Sequence, residues 1–214
     1  MSVATNIAAV RAHIPAGVTL VCVSKFHPAS MIEEAYAVGE RDFGESHVQE
    51  LLRKQQTLPS DIRWHMIGHL QTNKVRAIIP FVYLIHSVDS LRLLQVIQRE
   101  AAVQDKVVNI LLEVHVARED TKSGFAPDEL QDLLDSGVLR QMPNICVKGI
   151  MGMATNTDDT TEIRRCFDTL AAIYHAHPEW DTLSMGMSED YLQAIAAGSN
   201  MVRIGSAIFG ERQY

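Results

Sequence analysis

Short apolar runs alternate along the chain with segments whose apolar residues recur at helical spacing. Runs rich in β-branched residues lie at 18–23, 64–67, 82–85, 107–114, 145–150 and 201–204, with weaker ones at 41–43 and 182–185. Continuous apolar runs of this kind are typical of strands in a sheet that is covered on both faces. The pattern therefore predicts eight buried parallel strands.

The segments between these runs have the period of an amphipathic helix. The apolar positions of one segment fall on a single helix face: Ile163, Phe167, Leu170, Ala171 and Tyr174. Pro127 suits the first turn of another helix, which Gly137 would end, and Asp89 is a candidate N-cap for a third. A further stripe predicts an extra helix ahead of the first strand: Ile7, Val10 and Ile14.

Strands that alternate with helices indicate βαβ units and a parallel sheet. Eight units fit a (β/α)8 TIM barrel with an extra N-terminal helix, and we expect residues 1–214 to form a single domain. The barrel would be compact, because about 250 residues are typical of this fold. A doubly wound open sheet is the alternative. Its nucleotide-binding form is disfavoured because no GxGxxG follows the first strand and there is no P-loop.

Charge and composition exclude several classes of protein. The chain has 19 Lys and Arg against 26 Asp and Glu, a net charge of −7, so it lacks the basic field that nonspecific nucleic-acid binding needs. No apolar run reaches the ~18 residues of a membrane span, and residues 1–11 do not resemble a secretory signal. The cysteines are odd in number and too far apart for a disulfide framework or a metal pair: Cys22, Cys146 and Cys166. We therefore expect a cytoplasmic protein.

Candidate chemistry lies at both ends of the chain. Lys25 closes the first predicted strand, where burial would disfavour the ammonium form and leave an amine that attacks carbonyls; a lysine that reaches solvent at the barrel rim is the alternative. The eighth strand carries Arg203 and ends in Gly205 and Ser206. Backbone amides there would form an anion site at a helix N-terminus, with Ser188 as an N-cap or hydroxyl donor. The alternative interpretation of these residues is a tight turn beside a surface arginine, with no anion site.

Seven stretches resemble the pyridoxal 5′-phosphate (PLP) homeostasis proteins, whose barrel is similar to the N-terminal barrel of bacterial alanine racemase. In chain order they are VSKFHP (23–28), FGESHVQE (43–50), WHMIGHLQTNK (64–74), HSVDS (86–90), TKSGF (121–125), GIMGMA (149–154) and LSMGMSEDYLQAIAAGSNMVRIGSAIFG (183–210). The last stretch is long and highly specific. The resemblance covers the chain from the first strand onward.

The resemblance implies a role for each end of the predicted site. Lys25 would hold PLP as a Schiff base, and Ser188, Gly205 and Ser206 would contact its phosphate. Arg203 would face the pyridine nitrogen. A cation there disfavours protonation of the ring, which leaves a poorer electron sink for carbanion chemistry.

Two further positions are expected near the cofactor. Ser46 replaces the asparagine of the family's usual FGEN, so its polar contacts must differ because a hydroxyl lacks the amide carbonyl. His65 would point into the barrel near PLP or be a satisfied core histidine. His65 and His69 suggest no third ligand, so we expect no metal site.

These features favour a PLP carrier for cellular homeostasis over a dedicated catalyst. The chain ends at Tyr214, so we expect it to lack the second domain that supplies the racemase's opposing tyrosine, and we expect a monomer. PLP-dependent apo-enzymes are candidate partners. One rival is a low-efficiency PLP-dependent amino-acid racemase or lyase with Lys25 as base. Another is a phosphate-binding barrel in which Lys25 contacts its ligand ionically.

Overall fold

Eight parallel strands close into one barrel in chain order in the computed structural model, which describes residues 2–119 and 123–211. Part of the predicted motif at 121–125 and Tyr214 lie outside the described residues. The strands are β1 (Thr19–Val23), β2 (Asp42–Glu45), β3 (Arg63–Met66), β4 (Val82–Val88), β5 (Val108–Val114), β6 (Ile145–Gly152), β7 (Thr182–Ser184) and β8 (Met201–Ile204). The TIM-barrel prediction is confirmed, and the open-sheet alternative is wrong, because β8 pairs with β1 from Thr19 to Cys22.

Helices connect successive strands, as the apolar spacing predicts, and one more helix lies at each end of the chain. They are α1 (Val3–Arg11), α2 (Ala29–Ala37), α3 (Val48–Thr57), α4 (Val75–Ile78), α5 (Leu91–Val103), α6 (Pro127–Asp135), α7 (Thr160–His175), α8 (Tyr191–Ala196) and α9 (Ser206–Phe209). The extra N-terminal helix is confirmed as α1, although Ile14 lies beyond its end. No helix within the described ranges is both long enough and apolar enough to cross a membrane.

One helix start differs from the prediction by a residue. Ser90, not Asp89, is the N-cap of α5, and its hydroxyl oxygen accepts the backbone N–H of Leu93 at 3.3 Å. Asp89 instead accepts the Ser90 hydroxyl at 2.9 Å. The chain is extended at Ser90, which directs that side chain back toward the first free amides of the helix.

The apolar core divides into two layers, because successive strand residues point to opposite sides of the barrel wall. The layer outside the wall packs the helices onto the strands and includes Cys22, Phe43 and Ile85. The layer inside the barrel is small: Val21, Leu84, Leu111, Met151 and Met201. The same alternation places several buried polar side chains inside the barrel, namely Asp42, His65, His86, Ser184 and Arg203.

Candidate functional site

A cavity of about 550 Å³ opens at the carboxyl end of the barrel, where the loops follow the strands. This is the end at which TIM barrels carry their functional groups. The cavity is lined by six of the seven residues that the sequence singled out: Lys25, Ser46, Ser188, Arg203, Gly205 and Ser206. His65 is not among the described lining residues. Met153 and Met187 contribute apolar surface.

Lys25 enters the cavity from the end of β1. Alternation from Val21 through Val23 directs position 25 to the inside of the barrel. The next residue, Phe26, has a φ of 66°, in the left-handed region that costs most residues energy. Its backbone N–H donates to Glu50 Oε1 at 2.8 Å, and this bond fixes the turn. The lysine is thus carried by a strained turn that α3 holds in place.

A cluster of charged side chains lies behind this turn, between the barrel wall and α3. Lys54 Nζ donates to Glu45 Oε1 and Glu50 Oε1, each at 2.7 Å, and to the carbonyl of Ser24 at 2.8 Å. The Ser24 hydroxyl also donates to Glu45 Oε1 at 2.6 Å. We call Ser24, Glu45, Glu50 and Lys54 the outer cluster. It ties the ends of β1 and β2 to α3 directly beside Lys25.

Glu45 is the least satisfied member of the outer cluster. Its side chain is fully buried, and no described residue bonds Oε2. Burial raises the pKa of Glu45 to about 7, although Lys54 and the Ser24 hydroxyl oppose the shift.

The opposite end of the cavity offers backbone N–H groups. Those of Gly205 and Ala207 converge on Ser188 Oγ at 3.3 and 3.5 Å. Two amides aimed at one oxygen can also bind an oxygen of an anionic ligand. The sequence pointed to Gly205 and Ser206 but missed the Ala207 amide, which depends on the first turn of α9.

Ser188 does not cap α8, contrary to one of its two predicted roles. Asp190 is the N-cap of α8, and its carboxylate accepts the Met187 N–H at 2.6 Å. The loop passes close to α8 because Gly186 has a φ of 96°; a Cβ there would lie 2.6 Å from Ala194 Cβ. This turn leaves the Ser188 hydroxyl facing the α9 amides.

Arg203 forms part of the cavity wall while being almost wholly buried, with 4% of its surface exposed. Nη1 donates to the carbonyl and hydroxyl oxygens of Ser184 at 2.9 and 2.8 Å, and Nη2 donates to the Gly152 carbonyl at 3.2 Å. Burial lowers the pKa of Arg203 to about 10, with Asp190 and Glu113 opposing the shift. The guanidinium therefore remains a cation at neutral pH.

His65 lies deeper in the barrel than the cavity. It is fully buried, bonded through Nε2 to Asp42 Oδ1 at 3.0 Å and through Nδ1 to His86 Nε2 at 2.9 Å. His69 is exposed at the mouth and pairs with Asp89 at 3.1 Å. The two histidines share no ligand. Within residues 2–119 and 123–211, no group of three His, Cys, Asp or Glu side chains could hold a metal ion.

Sequence reasoning did not assign a role to Asp42 or His86. His86 is the first residue of the HSVDS stretch and points into the barrel from β4, and Asp42 begins a strand that was only weakly predicted. A polar residue within an apolar strand was the feature of the sequence that could have drawn attention to each of them. Their partners could not be inferred from spacing, because they come from different strands.

The chain is similar to proteins of known sequence over its full length. A family model described as alanine racemase, N-terminal domain, matches residues 1–213. A "Pyridoxal phosphate homeostasis protein" of Pseudomonas aeruginosa is 39% identical, and the match covers 100% of this chain and 97% of the relative.

Solved structures give the same relationship in three dimensions. PipY of Synechococcus elongatus, solved with PLP bound, has a TM-score of 0.89 and 34% identity, covering 98% of this chain and 100% of PipY. Alanine racemase of Streptomyces coelicolor has a TM-score of 0.82 over 97% of this chain and 57% of the racemase. At 18% identity, the likeness to the racemase shows the fold alone.

Proposed function

The chain belongs to the pyridoxal phosphate homeostasis protein family, and on that premise we propose that it binds PLP in the mouth cavity as an intracellular carrier. The observation that supports this most directly is the convergence of three chemically different groups on one cavity. These are the amine of Lys25, the guanidinium of Arg203 and the α9 amides around Ser188. PipY, which was solved with PLP bound, is similar over nearly the whole chain.

The residues present fit the chemistry of this cofactor. Lys25 is the amine that would hold the aldehyde as a Schiff base, and Ser188, Gly205 and Ser206, joined by the Ala207 amide, would hold the phosphate. When bound, PLP supplies an aldehyde for imine formation and a pyridine ring that can withdraw electrons. Ser46 lies on the cavity wall and offers one hydroxyl. His65 would act behind the wall, because it does not line the cavity.

Carriage suits these residues better than catalysis does. Arg203 is a cation at neutral pH, so an adjacent ring nitrogen would stay unprotonated and the ring would be a weak electron sink. Among the described lining residues there is no tyrosine and no amine besides Lys25. A racemase needs proton-transfer groups on both faces of its substrate. We therefore propose a cytoplasmic monomer that delivers PLP to apo-enzymes.

The linkage is tested by absorption spectroscopy and hydride trapping. Purified protein incubated with PLP is expected to show an imine absorption band and, after borohydride reduction, a covalent adduct on the peptide containing Lys25. Lys25→Ala should abolish both, whereas Lys148→Ala, a surface control paired with Asp181, should retain both. An adduct that persists in Lys25→Ala, or no adduct in the wild type, would overturn the assignment.

A turnover assay separates the carrier from the racemase or lyase. The PLP-loaded wild type is incubated with a panel of L- and D-amino acids, and products are counted per bound cofactor. The carrier is expected to make fewer than about one product per site. Multiple turnovers that are lost in Lys25→Ala would establish an enzyme instead.

A further inference from the structure

An unbroken chain of hydrogen bonds crosses the barrel interior from its amino end to the cavity. Asp42, the first residue of β2, bonds His65 at 3.0 Å, and His65 bonds His86 at 2.9 Å. His86 Nδ1 lies 3.1 Å from Ser184 Oγ, which accepts from Arg203 Nη1 at 2.8 Å. All five residues are buried. We call this chain the inner relay.

The two ends of the inner relay fix the direction of its hydrogen bonds. A guanidinium can only donate, and a carboxylate can only accept. Ser184 Oγ accepts from Arg203, so its own proton is free for His86 Nδ1. His86 then donates through Nε2 to His65 Nδ1, and His65 donates through Nε2 to Asp42. Every donor faces Asp42, and both imidazoles are neutral with the proton on Nε2.

Other proton placements leave a conflict inside the barrel. If His65 carried its single proton on Nδ1, its Nε2 lone pair would face the Asp42 carboxylate. The remaining alternatives are an imidazolium at His65, with all later bonds reversed, or an imidazolium at His86, and either one leaves the Ser184 proton without this acceptor. Burial lowers the pKa of His65 despite the neighbouring Asp42, and it lowers the pKa of His86 still further, which favours the neutral arrangement.

Arg203 needs this support because its direct partners are all neutral. Its three bonds go to the two Ser184 oxygens and the Gly152 carbonyl, and no carboxylate in the described residues lies within ion-pair distance. A buried cation without a counter-charge is unfavourable. Aligned dipoles connect it to Asp42, which is anchored by Arg63 Nε at 2.7 Å. The carboxylates that favour the Arg203 cation, Asp190 and Glu113, act from beyond ion-pair distance, so the aligned bonds of the inner relay hold the guanidinium from its buried side.

We propose that Asp42, His65, His86 and Ser184 are positioning residues that hold the Arg203 guanidinium charged and oriented at the cavity wall. Within the described residues, Arg203 Nε has no acceptor, so this N–H remains for a ligand. The consequence for PLP rests on the proposed function: the relay would set how Arg203 meets the ring. The proton arrangement itself is a property of the protein alone.

The proton arrangement is tested without PLP by nitrogen-15 NMR of labelled histidines in the full chain. His65→Gln and His86→Gln assign the two buried signals, and the exposed His13 serves as the internal reference. At pH 7, both buried rings are expected to be neutral with the proton on Nε2. An imidazolium at either position, or a proton on Nδ1 of His86, would overturn the relay whether or not PLP binds.

The effect on Arg203 is tested with the PLP-loaded protein. His86→Phe removes both ring nitrogens, and it is expected to shift the absorption maximum of the bound cofactor and to speed its release about tenfold, which corresponds to about 1.4 kcal/mol. His86→Gln can still accept from Ser184 and donate to His65, so it should restore both properties. His13→Phe is the matched surface control.

The outcomes distinguish the two proposals. Wild-type spectrum and release in His86→Phe, with a wild-type unfolding midpoint, would show that Arg203 does not depend on the relay. Lack of any PLP adduct in the wild type would defeat the proposed function but leave the NMR result to decide the proton arrangement. If His86→Phe does not fold, Ser184→Ala breaks the chain one step nearer to Arg203 and gives the same readouts.

Discussion

The inner relay and the outer cluster are both shielded from solvent on either side of the barrel wall, but they carry charge differently. The relay joins one cation to one anion through three neutral side chains. The outer cluster instead packs Lys54 directly against Glu45 and Glu50. Both depend on polar residues that interrupt apolar strands. Their difference shows that the protonation state of a buried group depends on whether all of its hydrogen-bonding atoms have partners.

Each hydrogen bond of the inner relay joins one donor to one acceptor. Such a network is rigid, because adding a proton at either imidazole would break the sequence of bonds, and burial lowers the pKa of both histidines. This stability suits the wall of a binding cavity. Asp42 shows it most clearly: Arg63 and His65 hold its pKa down to about 2 against the opposing effect of burial.

The outer cluster leaves one carboxylate oxygen of Glu45 without a described partner. The cost of burying that charge is only partly offset by Lys54, so the carboxyl group titrates near neutral pH. The cluster also fixes the strained turn at Phe26 next to Lys25. A change of protonation near pH 7 should therefore affect the Lys25 amine through Glu45 and the outer cluster, and not through the inner relay.

Removing the cation of the outer cluster should have the largest effect on stability. Lys54→Met leaves the buried carboxyl group of Glu45 and the half-buried one of Glu50 without their counter-charge, and it should lower the free energy of unfolding by about 3–5 kcal/mol, measured in urea at pH 7.5. Lys148→Met, which breaks an exposed pair with Asp181, should cost less than about 1 kcal/mol. Equal losses in the two variants would show that Lys54 is not the central charge of the cluster.

The outer cluster and the inner relay should make the free energy of unfolding depend on pH in opposite directions. Glu45 has a raised pKa in the folded protein, so between its ordinary value of 4.5 and about 7 the unfolded chain ionises first, and stability falls as pH rises. The fall is at most about 3 kcal/mol. Glu45→Gln should flatten the unfolding free energy over this range, as measured by urea denaturation at several pH values.

Asp42→Asn is the matched control for the pH experiment. The lowered pKa of Asp42 means that its stabilisation is complete above about pH 4 and is lost as pH falls toward 2. The asparagine variant should therefore be less stable than wild type at every pH above 4, with the slope between pH 4.5 and 7 unchanged. A slope that disappears in Asp42→Asn but persists in Glu45→Gln would show that a group of the inner relay titrates over this range, and not Glu45.

The smallest effect concerns the turn that the outer cluster holds. Phe26→Gly and Phe26→Ala both remove the ring, but only glycine accepts the φ of 66° without strain. The glycine variant should exceed the alanine variant in unfolding free energy by about 1 kcal/mol. The difference should reverse at an exposed helical position such as Ala102, where alanine is preferred. A more stable alanine variant at position 26 would mean that the turn relaxes.

The sequence by itself determined the barrel, since apolar runs and helical stripes are local consequences of burial and do not require knowledge of distant partners. It also determined that Lys25 ends the first strand and that Gly205 follows the last, so both were expected at the same end. Only the tertiary structure decided that Asp42, His65, His86 and Ser184 form one chain, because they come from four strands. Closure of the barrel and the stagger of its strands set their distances, and no sequence spacing encodes those.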